Sequence, residues 1–300
     1  MSLRVFVVGL GSSGRRHLRN LQGLGVTADG GRLEAAGAWA ADAIVVASPT
    51  SDHLTTIRWA IERGIHMYVE KPLAPSSDGV AAALHDAERA GLTLAVGYNL
   101  RSHPALEAIR AAVEDGRVGR LVSVRAEVGH YLPDWHPDED YRDSYAAKRA
   151  LGGGALLTLS HELDFVRWIA GEVVECHGIA ARVSSLELDV DDVADVVLRH
   201  AGGTLSSVHM DVLDREYNRR SRWVGEDATI AWTWGGDVTI DGQILWHNDG
   251  AGLDQSYVSA LRNFLGALAA REPPRATGRD GLRVLELCDA VRRYDARPAR

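Results

Sequence analysis

The sequence predicts a two-domain protein, with an α/β N-terminal domain built on a parallel sheet and an α+β C-terminal domain built on an antiparallel sheet. Short apolar segments alternate with helix-like segments over residues 1–118, which is typical of a doubly wound sheet. From residue 119 to residue 300, strands with alternating apolar and polar residues indicate an open, mostly antiparallel sheet with one face in water. A length of 300 residues also favours two domains.

Four apolar runs rich in β-branched residues predict the buried parallel strands of the first domain. They are residues 5–8, 43–47, 67–69 and 92–96. Segments whose apolar residues have helical spacing lie between these runs. One more predicted helix begins near Pro104 and ends near Gly116. The segment 26–42 is short for a strand plus a crossover. Either residues 26–28 form a shortened second strand that ends at Asp29, or the whole segment is a loop.

The second domain is predicted from five alternating runs and two helical segments. The strand-like runs are 122–128, 173–183, 193–212, 222–234 and 237–246, with turns at Gly202-Gly203 and Gly235-Gly236. Segment 154–170 is predicted as one helix, and 255–293 is helical around a Pro-Pro pair, with the option that these last helices pack back on the first domain.

Composition excludes several classes of function. There are 33 Lys and Arg against 41 Asp and Glu, a net charge of −8 without a basic block, which argues against a nucleic-acid partner. No apolar run approaches the roughly 18 residues of a membrane span, and no export signal is visible, so we expect a cytoplasmic protein. The only cysteines, Cys176 and Cys288, are far apart, which excludes a disulfide framework.

A glycine motif with G-x-G-x-x-G spacing lies between the first strand and the first helix, and it predicts a bound dinucleotide. It comprises Gly9, Gly11, Ser12, Ser13 and Gly14. Such glycines allow a tight turn and close approach of backbone N–H groups to a pyrophosphate. The alternative is a glycine-rich turn without a ligand. Asp29 lies about where an acidic residue contacts the ribose, which favours NAD over NADP if Asp29 fills that role.

Further motifs follow in order: Ala47-Ser48-Pro49-Thr50 with His53, Glu70-Lys71-Pro72, Gly97-Tyr98-Asn99-Leu100-Arg101, and Gly152-Gly153-Gly154 leading to His161-Glu162-Leu163-Asp164. With these, the chain resembles the glucose-fructose oxidoreductase / inositol dehydrogenase / MocA (Gfo/Idh/MocA) family. Segments 98–104 and 131–137 are most similar to an amino-sugar-pathway subgroup. The resemblance implies a Rossmann-like domain that binds NAD or NADP, and hydride transfer to or from a sugar, amino-sugar or nucleotide-sugar carbon.

The resemblance also implies which residues contact the cofactor: Ser48, Pro49, Thr50, His53, Glu70, Lys71 and Asn99. It implies a homodimer or homotetramer as well, and the half-apolar C-terminal sheet independently favours an assembly through that sheet.

Lys71 is the first candidate for catalysis. It follows a buried parallel strand, and ligands of open α/β sheets bind at the carboxyl ends of the strands. Its ammonium group can hydrogen-bond the reacting oxygen and stabilise a developing alkoxide. The alternative is a surface lysine paired with Glu70.

His161 and Asp164 are the other catalytic candidates. They lie three residues apart on a segment that is apolar on both sides, so His161 is expected in a protected space where a neutral imidazole can accept a proton. The alternative is a core histidine held by Asp164. The family usually has an aspartate about one turn before this histidine, and Thr158 stands there instead. This departure favours, as a rival hypothesis, a degenerate member that binds ligand without efficient turnover.

Substrate contacts are predicted less directly. The resemblance implies that Arg101 contacts the substrate, with a surface ion pair as the alternative. Trp135, His136 and Lys148 lie in a long polar and aromatic segment typical of substrate lids, although a solvent-exposed loop or a subunit contact fits equally. No metal is expected, because a nicotinamide cofactor needs none and the acidic residues near His136 have no helical register.

Overall fold

The computed structural model describes residues 3–250 and 252–295, and these form two compact units. Unit 1 contains the described residues up to Ser102 together with Asp254–Leu285, and unit 2 contains the remaining described residues. The N-terminal segment of unit 1 ends at Ser102, whereas the sequence predicted a domain boundary at residue 118. Unit 1 also contains Asp254–Leu285, which lies near the other end of the sequence.

Unit 1 contains a five-stranded parallel sheet with the strand order β2-β1-β3-β4-β5. The strands are β1 (Arg4–Val8), β2 (Thr27–Gly31), β3 (Ala43–Val46), β4 (His66–Val69) and β5 (Leu94–Val96). The connecting helices are α1 (Ser12–Gly23), α2 (Leu33–Ala38), α3 (Thr50–Ile61) and α4 (Val80–Arg89). The predicted doubly wound domain is confirmed, and a sheet buried on both faces explains why its strands read as continuous apolar runs.

The second strand exists, and it is longer than the sequence predicted. β2 has five residues and pairs with β1 from Arg4 opposite Thr27 to Val8 opposite Gly31. The crossover to β3 is correspondingly small, because α2 has only six residues. Asp29 lies in the middle of β2, so the expectation that the strand ends at Asp29 is wrong.

Unit 2 is built on an eight-stranded sheet with the order β13-β12-β11-β10-β6-β9-β8-β7. The strands are β6 (Leu121–Gly129), β7 (Val173–Ala181), β8 (Val193–His200), β9 (Leu205–Asp211), β10 (Asn218–Gly225), β11 (Thr229–Thr233), β12 (Val238–Ile240) and β13 (Gln243–Trp246). Among the described strands of this sheet, β6 and β9 alone pair in parallel, so the prediction of a mostly antiparallel sheet is confirmed. The predicted runs 222–234 and 237–246 each divide into two strands, because turns interrupt them before Thr229 and at Asp241-Gly242.

One face of this sheet carries helices, which include α5 (Pro104–Glu114), α6 (Ala155–Thr158) and α7 (His161–Ala170). The single helix predicted over 154–170 is therefore wrong. Leu159, with φ −101° and ψ 19°, leaves helical geometry, and α7 restarts at His161. Packing on several sides buries the helix, and every residue from His161 to Arg167 is at most 9% exposed.

The chain ends with two long helices, α8 (Leu253–Ala270) and α9 (Gly278–Asp295). Leu261 and Phe264 of α8 are fully buried in the core of unit 1 with Val5 and Tyr68, so the option that the last helices pack on the first domain holds for α8. Within residues 3–250 and 252–295, no helix is both long and apolar enough to cross a membrane.

Candidate functional site

The glycine motif forms the connection between β1 and α1, and its three glycines serve two purposes. The Gly9 N–H donates to Gly31 O at 2.9 Å, and a Cβ on Gly9 would lie 2.8 Å from Ala47 O. A Cβ on Gly14 would collide with the Gly9 carbonyl oxygen. Gly11 differs, because no atom of the described residues lies within 4 Å of the position of its Cβ. Two glycines thus permit close packing, and the third leaves open space where a pyrophosphate can approach the backbone.

Ser48, Pro49 and Thr50 follow β3 at the same end of the sheet. The Ser48 hydroxyl is buried and makes no hydrogen bond to any residue that the structure describes. Buried polar groups usually have a partner, so an orphaned hydroxyl beside the glycine loop fits a bound polar ligand. Together with the space at Gly11, this shows that the residues present suit a dinucleotide.

His53 connects two loops of this end of the sheet. Its Nδ1 lies 2.9 Å from Pro72 O and its Nε2 lies 3.0 Å from Ser48 O. Burial lowers its pKa, although the two carbonyl contacts oppose that effect. A neutral imidazole has one N–H, so it donates to one carbonyl at a time. The ring is 1% exposed, so His53 supports the loops that carry Ser48 and Lys71.

Glu70 fixes the loop after β4. His17 Nε2 of α1 donates to Glu70 Oε1 at 2.6 Å, and the backbone N–H of Lys71 donates to Oε2 at 3.2 Å. Burial alone would raise the pKa of Glu70, but the His17 hydrogen bond and nearby positive charges outweigh it and lower the pKa. A Cβ on Gly97 would lie 3.0 Å from Oε2, so glycine makes room for this carboxylate. The ionised Glu70 thereby links α1 to Lys71.

Lys71 follows β4 at the carboxyl edge of the sheet, at the end where the glycine loop lies, and its peptide bond to Pro72 is cis. Its side chain is half-buried. The sequence contains one further signal for this residue, because Lys71 and Lys148 are its only lysines and every other residue in the Lys and Arg count is arginine. A lysine retained in such a chain favours a role that arginine, which does not lose its proton, cannot fill.

Asn99 and Arg101 lie in a short 3₁₀ helix after β5, and both are buried. Asn99 Nδ2 donates to Ser256 Oγ at 2.6 Å. Arg101 is 3% exposed, its Nη2 lies 3.1 Å from Asp280 Oδ1, and its Nη1 donates to Arg275 O at 3.0 Å. These contacts favour the alternative of an ion pair, which is buried and not on the surface, and the substrate-binding role of Arg101 stays a prediction.

Unit 2 contains the other predicted catalytic residues. Thr158 ends α6 and is 2% exposed, whereas His161 begins α7 and is 8% exposed. Asp164 is 1% exposed, and three residues along a helix place it on the same side of α7 as His161. The break between α6 and α7 separates Thr158 from His161, so the helical spacing assumed from the sequence does not apply between them.

A buried ion pair beside His161 was missed by sequence reasoning. Glu162 is fully buried, and its Oε1 accepts from Arg219 Nε of β10 at 2.6 Å. Arg219 Nη1 also donates to Tyr217 Oη at 2.7 Å, and its guanidinium carbon lies 5.5 Å from the Trp234 ring centroid. The sequence did contain one signal for a buried charge, because Glu162 lies on a helix that is apolar on both sides. Its partner Arg219 could not be identified from the sequence, because it lies 57 residues further along the chain.

Aromatic side chains surround this pair. His103 lies 5.0 Å from Trp234 and 5.5 Å from Trp232, measured between ring centroids. Burial and the neighbouring Arg219 charge lower the pKa of His103 to about 4. His103 is therefore neutral at neutral pH and contributes a ring, not a charge, to the cluster.

The predicted lid segment consists of a loop with short 3₁₀ turns. Trp135 stacks on His130 at 5.4 Å and its Nε1 donates to His130 O, while His136 is exposed. Lys148 Nζ lies 2.9 Å from Asp143 Oδ1 in a pair open to solvent. No group of three or more His, Cys, Asp or Glu side chains within the described residues is arranged to hold a metal ion.

Comparisons with known proteins agree with this architecture. Residues 32–98 match the family profile described as "Oxidoreductase family, NAD-binding Rossmann fold", and residues 106–231 match the "GFO/IDH/MocA C-terminal domain". The two matches together cover more than half of the chain, and the glycine loop precedes the first of them. The fold and the profiles define an oxidoreductase with an NAD-binding Rossmann domain. The chain belongs to the Gfo/Idh/MocA family, which confirms the resemblance seen in the motifs.

Individual relatives are distant. The oxidoreductase YrbE of Bacillus subtilis is 31% identical over 172 residues, 56% of this chain and 48% of that protein, so the match spans about half of its length. D-xylose 1-dehydrogenase (NADP(+)) 2 of Haloferax volcanii is 26% identical over 260 residues, 83% of this chain and 77% of its own. The structure of levoglucosan dehydrogenase in complex with NADH has a TM-score of 0.88 at 19% identity, covering 99% of this chain and 97% of that one, which shows a shared fold.

Proposed function

We propose that this oxidoreductase transfers a hydride between a nicotinamide dinucleotide and a hydroxyl or carbonyl carbon of a sugar, amino sugar or nucleotide sugar. The observation that carries the proposal is the open space at Gly11 on the same sheet edge as Lys71, whose backbone is held by the ionised Glu70. The names of relatives support the substrate class, because they include dehydrogenases of D-xylose, levoglucosan and inositol.

In this proposal Gly9, Gly11, Ser12, Ser13 and Gly14 would hold the pyrophosphate of a dinucleotide, whose nicotinamide would supply or accept the hydride. Ser48, Pro49, Thr50, His53, Glu70 and Asn99 complete the cofactor half of the site, with His53 and Asn99 acting through the backbone they support. Lys71 donates a hydrogen bond to the reacting oxygen of the substrate. A donor at this oxygen stabilises the charge that develops when a hydroxyl loses its proton.

His161 is proposed to accept the proton of the substrate hydroxyl during oxidation and to return it during reduction. A buried neutral imidazole suits this exchange, and His161 is 8% exposed. Asp164 is proposed to orient the ring, because it is buried on the same side of α7. Thr158 carries no charge, so this assignment gives Asp164 the role that the family's usual aspartate would have. Trp135, His136 and Lys148 are proposed to contact the sugar.

Binding of the cofactor is the first test. Gly11→Val adds a side chain where the pyrophosphate approaches and should abolish binding of NADH and NADPH, measured by fluorescence titration. Gly23→Val is the matched control, because its Cβ position is likewise more than 4 Å from every residue that the structure describes outside its own helix and chain neighbours. The proposal fails if the native protein binds neither dinucleotide at millimolar concentration, or if the Gly11 variant binds as tightly as the control.

We also propose a homodimer or homotetramer assembled through the uncovered face of the eight-stranded sheet. This face, for which the sequence predicted alternating apolar residues, also carries Glu175 paired with Arg199 and His209 paired with Asp195. Val197 and Leu205, each 53% exposed, lie among these charges. A mixed surface of this kind is typical of interfaces as well as of solvated sheets, so the assembly requires its own test.

Sedimentation velocity tests the assembly. Val197→Glu should dissociate the oligomer, because it places an unpaired charge in the centre of the proposed interface. Val183→Glu, two residues beyond β7 and 67% exposed, is the control and should leave the sedimentation coefficient unchanged. A native protein that sediments as a monomer would contradict the proposal. We further propose a cytoplasmic location, which the free thiols of Cys176 and Cys288 support.

A further inference from the structure

We propose that the cofactor half of the site selects the 2′-phosphorylated dinucleotide, NADP(H), and that Arg32 is the residue that determines this choice. The inference rests on the proposed function, because it concerns the same dinucleotide. It arises from the position at which β2 ends, which places an arginine, and no carboxylate, beside the glycine loop.

The end of β2 is fixed by its pairing with β1. Val8 lies opposite Gly31, and the hydrogen bond from Gly9 N to Gly31 O extends the ladder into the glycine loop. The first residue beyond this point is Arg32. In open α/β sheets that bind dinucleotides, the residue at this end of the second strand faces the adenosine ribose. Arg32 therefore occupies the selecting position.

Asp29 is set back from that position. It lies two residues before Gly31, which at the rise of a strand is roughly 7 Å from the edge. Its Oδ1 already accepts the backbone N–H of Gly30 at 2.8 Å. A Cβ on Gly30 would lie 2.7 Å from Leu10 Cδ2 of the glycine loop, and successive residues of a strand point to opposite faces. The Asp29 side chain thus points away from the face on which Leu10 lies.

The Arg32 side chain points to the face of β2 opposite to that of the Asp29 side chain. Its backbone, with φ −79° and ψ 158°, continues the extended conformation of β2, so its Cβ points to the same side as that of Gly30. Its side chain is exposed and forms no hydrogen bond or ion pair with any residue that the structure describes. The guanidinium group is therefore available to a ligand.

A second guanidinium lies beside the glycine loop. Arg15 is exposed in the first turn of α1, and its Nη1 donates to Leu10 O at 2.7 Å. The other acidic residues of the β2–β3 connection are Glu34, on α2, and Asp42, whose Oδ2 accepts the backbone N–H of Arg4 where β1 begins, at the opposite end of the strand. Arginine binds phosphate through paired, charge-assisted hydrogen bonds, whereas a ribose 2′-hydroxyl is normally held by a carboxylate.

Isothermal titration of the full chain with NADPH and NADH, and with 2′,5′-ADP and 5′-AMP as probes of the adenosine end, tests the inference without any turnover. We expect the 2′-phosphorylated member of each pair to bind at least about tenfold more tightly, because its phosphate gains charge-assisted hydrogen bonds from Arg32. Arg32→Ala should remove this preference by weakening NADPH and 2′,5′-ADP while leaving NADH and 5′-AMP nearly unchanged.

Two control variants separate Arg32 from its surroundings. Arg19→Ala removes an exposed arginine further along α1 and should leave the preference intact, and Asp29→Asn should leave NADH binding intact. Tighter or equal binding of NADH by the native protein would overturn this inference and leave the proposed function standing. An equal loss of both dinucleotides in Arg32→Ala, or a loss of NADH binding in Asp29→Asn, would also overturn it. Binding of neither dinucleotide would overturn the proposed function itself.

Discussion

At the scale of single residues, the choice between lysine and arginine carries information. Arginine supplies the positive charge almost everywhere in this chain, including the buried pairs Arg101–Asp280 and Arg219–Glu162. A guanidinium remains protonated at all relevant pH values, whereas an ammonium group is a compact donor whose pKa its surroundings can change. Position 71, at the carboxyl edge of the sheet, therefore has a cation whose pKa its surroundings can change.

Two replacements of Lys71 should distinguish a need for positive charge at this position from a need for a group that can donate its proton. Lys71→Ala should lower kcat by about 100-fold or more, the usual effect of removing a positioned acid or an oxyanion partner. Lys71→Arg should recover little, because the guanidinium has a different shape and retains its proton. Steady-state kinetics provides kcat, and titration with the dinucleotide should show unchanged binding. Native turnover in Lys71→Ala would remove this residue from the mechanism.

The Glu162–Arg219 pair predicts a large effect on stability. Glu162→Gln leaves the Arg219 charge buried without its counter-ion, so the free energy of unfolding should fall by about 3–5 kcal/mol in urea denaturation. Arg220→Ala breaks the pair with Glu127 on the exposed side of the same strand and should cost less than about 1 kcal/mol. Similar losses in both variants would contradict the distinction between the buried and the exposed pair.

At the scale of elements, the strands that the sequence predicted well are those whose pattern is set by burial. β1, β3 and β4 lie inside the sheet of unit 1 and are apolar except for Arg4 and His66 at the starts of β1 and β4, so their positions were predictable to within about one residue. β2 lies at the edge and ends in two glycines, which have low β propensity. Its length is determined by pairing with β1, which no local pattern reveals.

The candidate site was predictable only in part, for a related reason. Motifs indicated Gly9, Gly11, Gly14, Lys71 and His161, which lie on turns and helix ends that local sequence specifies. The burial of Arg101, the break before α7 and the Glu162–Arg219 pair depend on contacts across 57 residues or more, or on packing from several sides. Periodicity within one segment contains no information about such contacts.

The uncovered face of the unit 2 sheet should give a pH-dependent stability. Hydrogen bonding to Asp211, opposed by partial burial and aided by Asp195, raises the pKa of His209 to about 9. The pKa of an unfolded histidine is about 6.5. His209 therefore stabilises the fold fully below about pH 6.5, and this contribution is lost as the pH rises toward 9.

Urea denaturation between pH 6.5 and 9 measures this contribution. The free energy of unfolding of the native protein should decrease over that range, and His209→Gln should show a flatter dependence. Ser207→Ala, exposed on the same strand as His209 and without a titratable group, is the matched control and should follow the native curve. Parallel curves for the native protein and His209→Gln would show that His209 does not bind its proton more tightly when folded.

At the scale of the whole molecule, unit 1 is discontinuous in sequence. The Phe264 ring is fully buried and lies 5.7 Å from the Tyr68 ring in an edge-on contact, within a core that also contains Val5 of β1. Phe264→Ala should lower the free energy of unfolding by about 3–5 kcal/mol, as expected for a large buried aromatic side chain. Arg262→Ala, exposed on the same helix, should have little effect. A small loss in Phe264→Ala would contradict this packing.

The return of α8 to unit 1 has a consequence for the order of events during synthesis. Domains usually fold as units as they emerge from the ribosome, the N-terminal one first. Here the strands of the dinucleotide-binding sheet are translated by residue 96, but the core residues Leu261 and Phe264 follow about 165 residues later. At a rate of synthesis of about 5–20 residues per second, roughly 10–30 seconds pass between the synthesis of β5 and that of α8. During this time the apolar surface that α8 later covers is exposed. The eight strands of unit 2 are contiguous in the chain and are translated during this interval, whereas the segment of unit 2 that begins at Glu286 follows α8. The parallel sheet of unit 1 is therefore expected to reach its native packing only after the strands of unit 2 have been synthesised.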